Sequence, residues 1–198
     1  RSIFSDNYFD IQNIKSKGCI LDIGCLYANN LAPFSDRDWE LYGTEVTEDS
    51  VEIAKSCCEL NNLSVDMKVG FNTKLPHESE KFDVLLSMAT IHYEESLDDV
   101  DRALREMHRV LKNDGCALIQ TVAPKHDIFT NSVKIGQSLY QLDMKSDLRH
   151  GQKFTFFEES DDFVAIAKKY FTAVEVARCT ESYPKQCIDI WLFKLKKN

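Results

Sequence analysis

The stretch Cys19-Ile20-Leu21-Asp22-Ile23-Gly24-Cys25 constrains this chain more than any other. Four apolar side chains, Cys19, Ile20, Leu21 and Ile23, surround a single acid, and a glycine follows at once. A continuous apolar run of this length reads as a strand buried on both faces, as in a parallel sheet. Asp22 is not mere filling in such a strand, because a buried carboxylate is costly unless something satisfies it. Gly24 falls where the strand must turn sharply, and glycine permits backbone angles and close approaches that other residues forbid. Together these residues predict a strand whose carboxyl end meets a ligand.

The pattern beyond this strand alternates. Trp39 to Glu45, Val65 to Val69, Phe82 to Met88 and Cys116 to Ala123 read as four further strands. A short helix is expected over Tyr27 to Phe34, broken near Pro33. Thr47 should cap a helix through Leu60, with Asn61-Asn62 as its stop. Ser96 and Asp99 form a capping box ahead of Leu97, Val100, Leu104, Met107 and Leu111, and Asn113-Asp114-Gly115 should end that helix. Thr155 and Glu158 make a second capping box before Phe163, Ile166, Ala167 and Tyr170. Val174 to Ala177 and Ile188 to Leu195 read as a final strand pair joined through Tyr183-Pro184-Lys185. Such alternation predicts an α/β fold with a largely parallel sheet and helices on both faces.

With 198 residues, 43% hydrophobic and 28% charged, the chain suits one soluble globular domain over 1–198. No apolar run approaches the ~20 residues that span a bilayer, and no basic-then-apolar signal segment is read at the start. Arg1 in place of Met leaves open upstream residues or a larger parent. A net charge of −8 disfavours nucleic acid as partner and favours a small molecule. The seven cysteines are scattered and lack a CxxC pair. They are expected as reduced thiols in a cytoplasmic protein, with neither a disulfide frame nor a metal site.

In open parallel sheets the ligand lies outside the carboxyl ends of the strands, where strand order reverses. Gly24, Glu45, Gly70-Phe71-Asn72 and Ser87-Met88 all fall at such ends. Glu45 follows Gly24 by 21 residues. An acid at the end of a second strand, about 20 residues past the glycine turn, is a ribose-binding signal. Gly24-Cys25-Leu26-Tyr27-Ala28 lacks the later glycines of GxGxxG, so a ligand with a ribose but no pyrophosphate fits better than a nicotinamide dinucleotide.

Four segments, taken in order, resemble the class I S-adenosylmethionine-dependent methyltransferases. ILDIGC is similar to the family's LDIGCGxG, and LYGTEVTEDSVEIAK to GvDxSxxxIexAk. VGFNTKLPHESEKFDVLLSMATIHY and LREMHRVLKNDGCALI match the family's loop with fourth strand and its following helix and turn. The resemblance runs from Lys17 to Thr121 and more faintly beyond. It implies a Rossmann-like sheet of seven strands in the order 3-2-1-4-5-7-6, the last antiparallel, and S-adenosyl-L-methionine as cofactor. It also implies roles: Asp22 and Gly24 beside the methionine half, Glu45 on the ribose, Val46 and Phe71-Asn72 around adenine, and Ser87 near the methionine, with Cys25 a further cofactor-binding candidate. Two positions depart from the family. Leu26 replaces the second glycine of the first signature, and Phe71 stands where an acid often accepts the adenine amino group. The alternative reading is therefore a non-catalytic, methyltransferase-like binding or interaction domain.

The expected chemistry is methyl transfer to a small-molecule acceptor such as a sugar or natural-product hydroxyl or amine. A hydroxyl acceptor usually needs a base, and histidine suits that task near neutral pH. His92, after the fourth strand, and His126, after the fifth, are the candidates, with His150 behind them, while His77 and His108 read as surface or packing residues. The segment 124–153 reads as a partly helical insertion at the acceptor site. The aromatics Phe129, Tyr140, Phe154, Phe156 and Phe157, in and just after it, either line that site or cover the sheet edge. An N-terminal arm, 1–17, carries Tyr8 and Phe9, which either pack on the domain or close over the ligand. Tyr8 is the arm's cofactor-binding candidate.

Overall fold

A computed structural model describes residues 16–198. Tyr8 and nearly all of the expected arm lie outside the described residues. The first strand, β1 (Lys17–Ile23), pairs in parallel with β2 (Asp38–Glu45) on one side and β4 (Phe82–Met88) on the other. β3 (Val65–Val69) extends the sheet beyond β2. β5 (Leu111–Val122) follows β4, and the long hairpin β9 (Ala173–Tyr183) and β10 (Gln186–Lys196) completes it. The order is β3-β2-β1-β4-β5-β10-β9, with β10 antiparallel to β5. In the order of these sheet strands along the chain this is 3-2-1-4-5-7-6, as the resemblance implied.

Period-two alternation explains the two cores. Leu21, Ile23, Leu85 and Ile119 face one side, where α2 (Leu97–Val110) and α4 (Ser160–Ala167) bring Val100, Leu104, Met107 and Phe163. Ile20, Leu41, Val84 and Leu86 face the other, against Val51, Ala54 and Cys58 of α1 (Glu48–Leu60). The glycine-turn segment also lies on this second side, through Cys25, Ala28, Leu31 and Phe34.

The caps of α1 and α2 are those read from the sequence. Thr47 Oγ1 accepts the Ser50 N–H at 3.1 Å, and Ser96 Oγ accepts the Asp99 N–H at 3.1 Å. Other boundaries moved. Tyr27 to Phe34 holds turns and one short 3₁₀ turn, Ala32–Phe34, rather than a helix. α2 stops at Val110 instead of Asn113, because Leu111 is extended and pairs with Phe82 to begin β5, and the buried Lys197 ammonium donates to the His108 and Leu111 carbonyls at 3.0 and 2.8 Å. Thr155 caps nothing. It ends a short strand, and its hydroxyl donates to the Glu94 carbonyl at 2.6 Å, so α4 begins only at Ser160.

The expected partly helical insertion has one four-residue helix, α3 (Asp127–Thr130), and is otherwise built as a sheet. β6 (Ser132–Lys134), β7 (Leu139–Leu142) and β8 (Lys153–Thr155) make a three-stranded antiparallel layer. Phe154, Phe156 and Phe157 are fully buried, and Phe154 stacks on Phe156 at 5.3 Å. Phe154 and Phe156 are core packing beneath the small sheet, Phe157 packs with Phe163 in the core of the large sheet, and none of the three lines the cavities described below. All seven cysteines are free thiols. Among the described residues no helix is long and apolar enough to cross a membrane.

Candidate functional site

The chain turns off β1 by folding back over the end of β2. The Gly24 and Cys25 amides both donate to the Thr44 carbonyl, at 2.8 and 3.2 Å. Gly24 has φ +65°, and a Cβ there would lie 2.5 Å from Thr90 Cγ2, so both the turn and the close approach require glycine. Leu26 and Ala28 also adopt positive φ, +47° and +55°. The loop thus keeps a glycine-like path with side chains that disfavour it. The Leu26 N–H donates to Glu45 Oε1 at 2.6 Å, which ties the turn to the acid ending β2.

These residues border a cavity of about 650 Å³ at the carboxyl ends of the strands. β1 lies between β2 and β4, so strand order reverses at this point. Gly24, Leu26, Glu45, Val46, Phe71 and Asn72 line the cavity, joined by Thr90, Tyr93 and Glu94. Leu26, Val46, Phe71 and Tyr93 are large apolar or aromatic side chains, each exposed, gathered around one opening. Such a concentration marks a ligand surface rather than scattered exposure. Below the rim a polar chain braces the wall. Ser87 Oγ and Thr90 Oγ1 are 2.7 Å apart, and Asn72 Nδ2 donates to Glu94 Oε1 at 2.9 Å and to the Thr90 carbonyl. Burial raises the Glu94 pKa, while the Asn72 hydrogen bond opposes that rise.

Asp22, Cys25 and Ser87 stand behind this wall, all buried. Asp22 shares the face of Ile20, toward the glycine-turn segment, and Asn30 Nδ2 donates to its Oδ2 at 3.2 Å. Its Oδ1 is buried without a partner. Burial pushes the Asp22 carboxyl up to about 7, and the Glu45 charge adds to the rise. Burial also raises the Cys25 thiol, whose Sγ lies 3.5 Å from Met67 Sδ.

The two candidate histidines meet at a second, smaller cavity of about 280 Å³, which shares Ala89 and Tyr93 with the first. His92 is 2% exposed, stacked on Tyr93 at 4.8 Å, with Nδ1 3.4 Å from Thr121 Oγ1. Burial, then the charges of His126 and Arg149, lowers its pKa to about 3. His126 is half-buried, with a pKa lowered chiefly by burial, and its Nδ1 accepts the Ile128 N–H at 3.1 Å. Arg149, Gln120 and Gln186 also reach this wall. Arg149 is held as a fork by Asp147, Nε to Oδ1 at 2.9 Å and Nη2 to Oδ2 at 2.7 Å. His150 is exposed and faces Asp143 at 3.9 Å, away from either cavity wall. His77 is buried against Tyr42 and Phe82, and burial lowers it to about 4. His108 is half-buried and packs edge-on against Phe171.

A cavity of about 640 Å³ also opens at the opposite pole, among Lys17, Asp38, Glu40, Asp83 and Lys112. It lies at the amino ends of the strands, and Lys112 and Asp83 satisfy each other at 2.7 Å, so it lacks the features of a strand-end ligand site. The sequence reading missed Thr90, Tyr93, Glu94 and Arg149. Thr90, Tyr93 and Glu94 directly follow β4, a strand end already marked, so position alone pointed to them. Arg149 had no local signal, since it reaches the wall from the loop between β7 and β8.

Comparison with known proteins agrees with this geometry. The family model for the methyltransferase domain matches residues 21–119, half of the chain. A ubiquinone biosynthesis O-methyltransferase of Pelagibacter ubique is 30% identical over 112 residues, 57% of this chain and 43% of that protein. The uncharacterized methyltransferase YcgJ of Bacillus subtilis is 30% identical over 116 residues, 58% of this chain and 45% of that protein. The match therefore spans less than half the length of these curated relatives. The solved structure of YcgJ superposes with a TM-score of 0.71 at 19% identity, covering 94% of each chain. A methyltransferase structure from Methanosarcina mazei gives 0.73 at 13% identity, covering 94% of this chain and 95% of that one. With the glycine turn, the acid ending β2 and the sheet order, these matches show that the chain belongs to the class I S-adenosylmethionine-dependent methyltransferase family.

Proposed function

We propose that this chain transfers a methyl group from S-adenosylmethionine to an oxygen of a small-molecule acceptor. The observation that carries the reading is Glu45, which ends β2 on the wall of the larger cavity with the glycine turn beside it. A carboxylate offers about four lone-pair sites, and the Leu26 amide uses one, so acceptors remain for vicinal ribose hydroxyls. Val46 and Phe71 supply exposed apolar surface for a flat base, with Asn72 at its edge. The unpartnered Asp22 Oδ1 behind Gly24 fits a region that meets the polar methionine end. The residues present thus fit the cofactor. When bound, it supplies an electrophilic methyl on a sulfonium. The protein's part is alignment of the acceptor in line with that methyl.

The smaller cavity shares a wall with the larger one, which supports its reading as the acceptor site. His126 and Arg149 reach it from 124–153, which supports that segment as the acceptor-site insertion. Oxygen is favoured over nitrogen by relatives named as ubiquinone biosynthesis O-methyltransferases. The test is release of S-adenosylhomocysteine over a panel of phenols, sugars and amines. Release that depends on an added hydroxyl compound is the expected result. One observation favours the rival reading of a non-catalytic binding domain: Leu26 puts a side chain on the cavity wall where the family has glycine. Cofactor binding without turnover on any acceptor, and a stable protein partner in pull-downs, would establish that rival.

A further inference from the structure

We infer that the smaller cavity binds the acceptor through an ionised oxygen, a phenolate, enolate or carboxylate, held by the His126 Nε2–H and the Arg149 guanidinium. This deepens, and rests on, the reading of the chain as a methyltransferase. His126 Nδ1 accepts the Ile128 N–H at 3.1 Å, so that nitrogen carries a lone pair. In a neutral imidazole the proton then sits on Nε2, and the free edge of the ring donates. It is not set to take a proton from a hydroxyl. His92 is no better placed, being buried among Tyr93, Phe154 and Phe156 with Nδ1 beside the Thr121 hydroxyl. Its pKa, lowered to about 3, makes it a weak base.

Arg149 is the one cationic side chain on this wall among the described residues, and no carboxylate lines it. Asp147 occupies Nε–H and one Nη2–H. A guanidinium carries five N–H donors, so some remain, and the Asp147 fork fixes their direction. Asp127 and Asp189 bear on His126 electrostatically, but Asp189 is occupied by Arg178, Thr180 and the Lys125 amide. The cavity of about 280 Å³ falls below the usual ~300–1,000 Å³ of drug-sized sites, so the occupant is of single-ring size.

An ionised oxygen also balances the reaction without a protein base. The acceptor oxygen forms a C–O bond with the methyl while the C–S bond breaks and its electron pair goes to sulfur. The anion and the sulfonium cancel, and no proton has to leave.

The test uses the full chain with benzoate as probe and benzamide as its neutral counterpart, with and without S-adenosylhomocysteine. Binding is followed by calorimetry and by nitrogen-15 resonances of the His126 ring. The expected result is a ring proton on Nε2 whose resonance moves with benzoate, and benzoate at least tenfold tighter than benzamide. His126→Asn keeps an oxygen to cap Ile128, but its shorter side chain leaves its amide N–H short of the position that Nε2 holds, and Arg149→Gln lacks the charge. Each should weaken benzoate tenfold or more and leave S-adenosylhomocysteine affinity unchanged. The ring signals of the unaltered protein report even if a variant fails to fold. Equal binding of the two probes, a proton on Nδ1, or folded variants with full benzoate affinity would overturn the inference. Benzoate binding that needs His126 and Arg149 in a protein that takes up no S-adenosylhomocysteine would keep the anion site and sink the methyltransferase reading. The reverse pattern would do the opposite.

Discussion

At the scale of single residues, the site is held by groups in unfavourable states. Leu26 is 56% exposed at φ +47°, so its side chain gains little from burial while its backbone is strained. The left-handed conformation costs a non-glycine residue ~1–2 kcal/mol, partly offset by the greater freedom glycine has when unfolded. Leu26→Gly should therefore raise stability by about 0.5–1 kcal/mol, read from chemical denaturation at constant m-value. Asp22 gives a pH signature. Its carboxyl is raised to about 7 in the folded protein from 3.8, so between these values the folded state keeps a proton that the unfolded state has lost. Stability should fall as pH rises from about 4 to about 7 and carry the full cost above that. Asp22→Asn should flatten that slope, and a wild-type slope unchanged by the substitution would remove Asp22 as its source. Asp22 and Glu45 were legible in the sequence because an acid inside an apolar strand, and an acid ending the next one, each break a pattern. Arg149 broke none, and the tautomer of His126 depends on one backbone amide, Ile128, that only the folded loop supplies.

Among the elements, legibility followed local chemistry. Ser96 and Thr47 cap through hydrogen bonds within three residues, so their helices begin where the sequence indicated. Ser96→Ala should cost ~1 kcal/mol, measured as a shift in denaturation midpoint, and α2 should keep its packing against the sheet. The same pattern at Thr155 and Glu158 misled. Thr155 is drawn into β8 and bonds Glu94, while Glu158 accepts from Lys134 and Tyr140. Contacts distant in sequence outweighed the local motif. The insertion was misread for the same reason: β6, β7 and β8 are short, and their shared core of Tyr140, Leu142, Phe154 and Phe156 forms only when they meet. The end of α2 is set where Leu111 pairs with Phe82 of β4, and the Leu111 carbonyl is met by Lys197, 86 residues away in the chain.

At the scale of the whole molecule, the fold was the most legible level, because long buried strands and amphipathic helices alternate along the chain and topology follows. The reversal of strand order at β1 puts Gly24, Glu45, Phe71, Asn72 and Glu94 around one opening from separate parts of the chain. The central claim is that this opening is the cofactor site and that Glu45 holds the ribose. A hydrogen bond to a charged acceptor contributes ~1.5–3 kcal/mol, and ~1.4 kcal/mol is a decade of affinity. The decisive measurement titrates S-adenosylhomocysteine into the wild type, Glu45→Gln and Glu45→Ala, with melting temperature recorded on each. The account predicts binding by the wild type, weakening of about tenfold or more for Glu45→Ala and less for Glu45→Gln, in folded proteins. A wild type that shows neither heat nor thermal shift at millimolar ligand, or a Glu45→Ala variant with unchanged affinity, would contradict it.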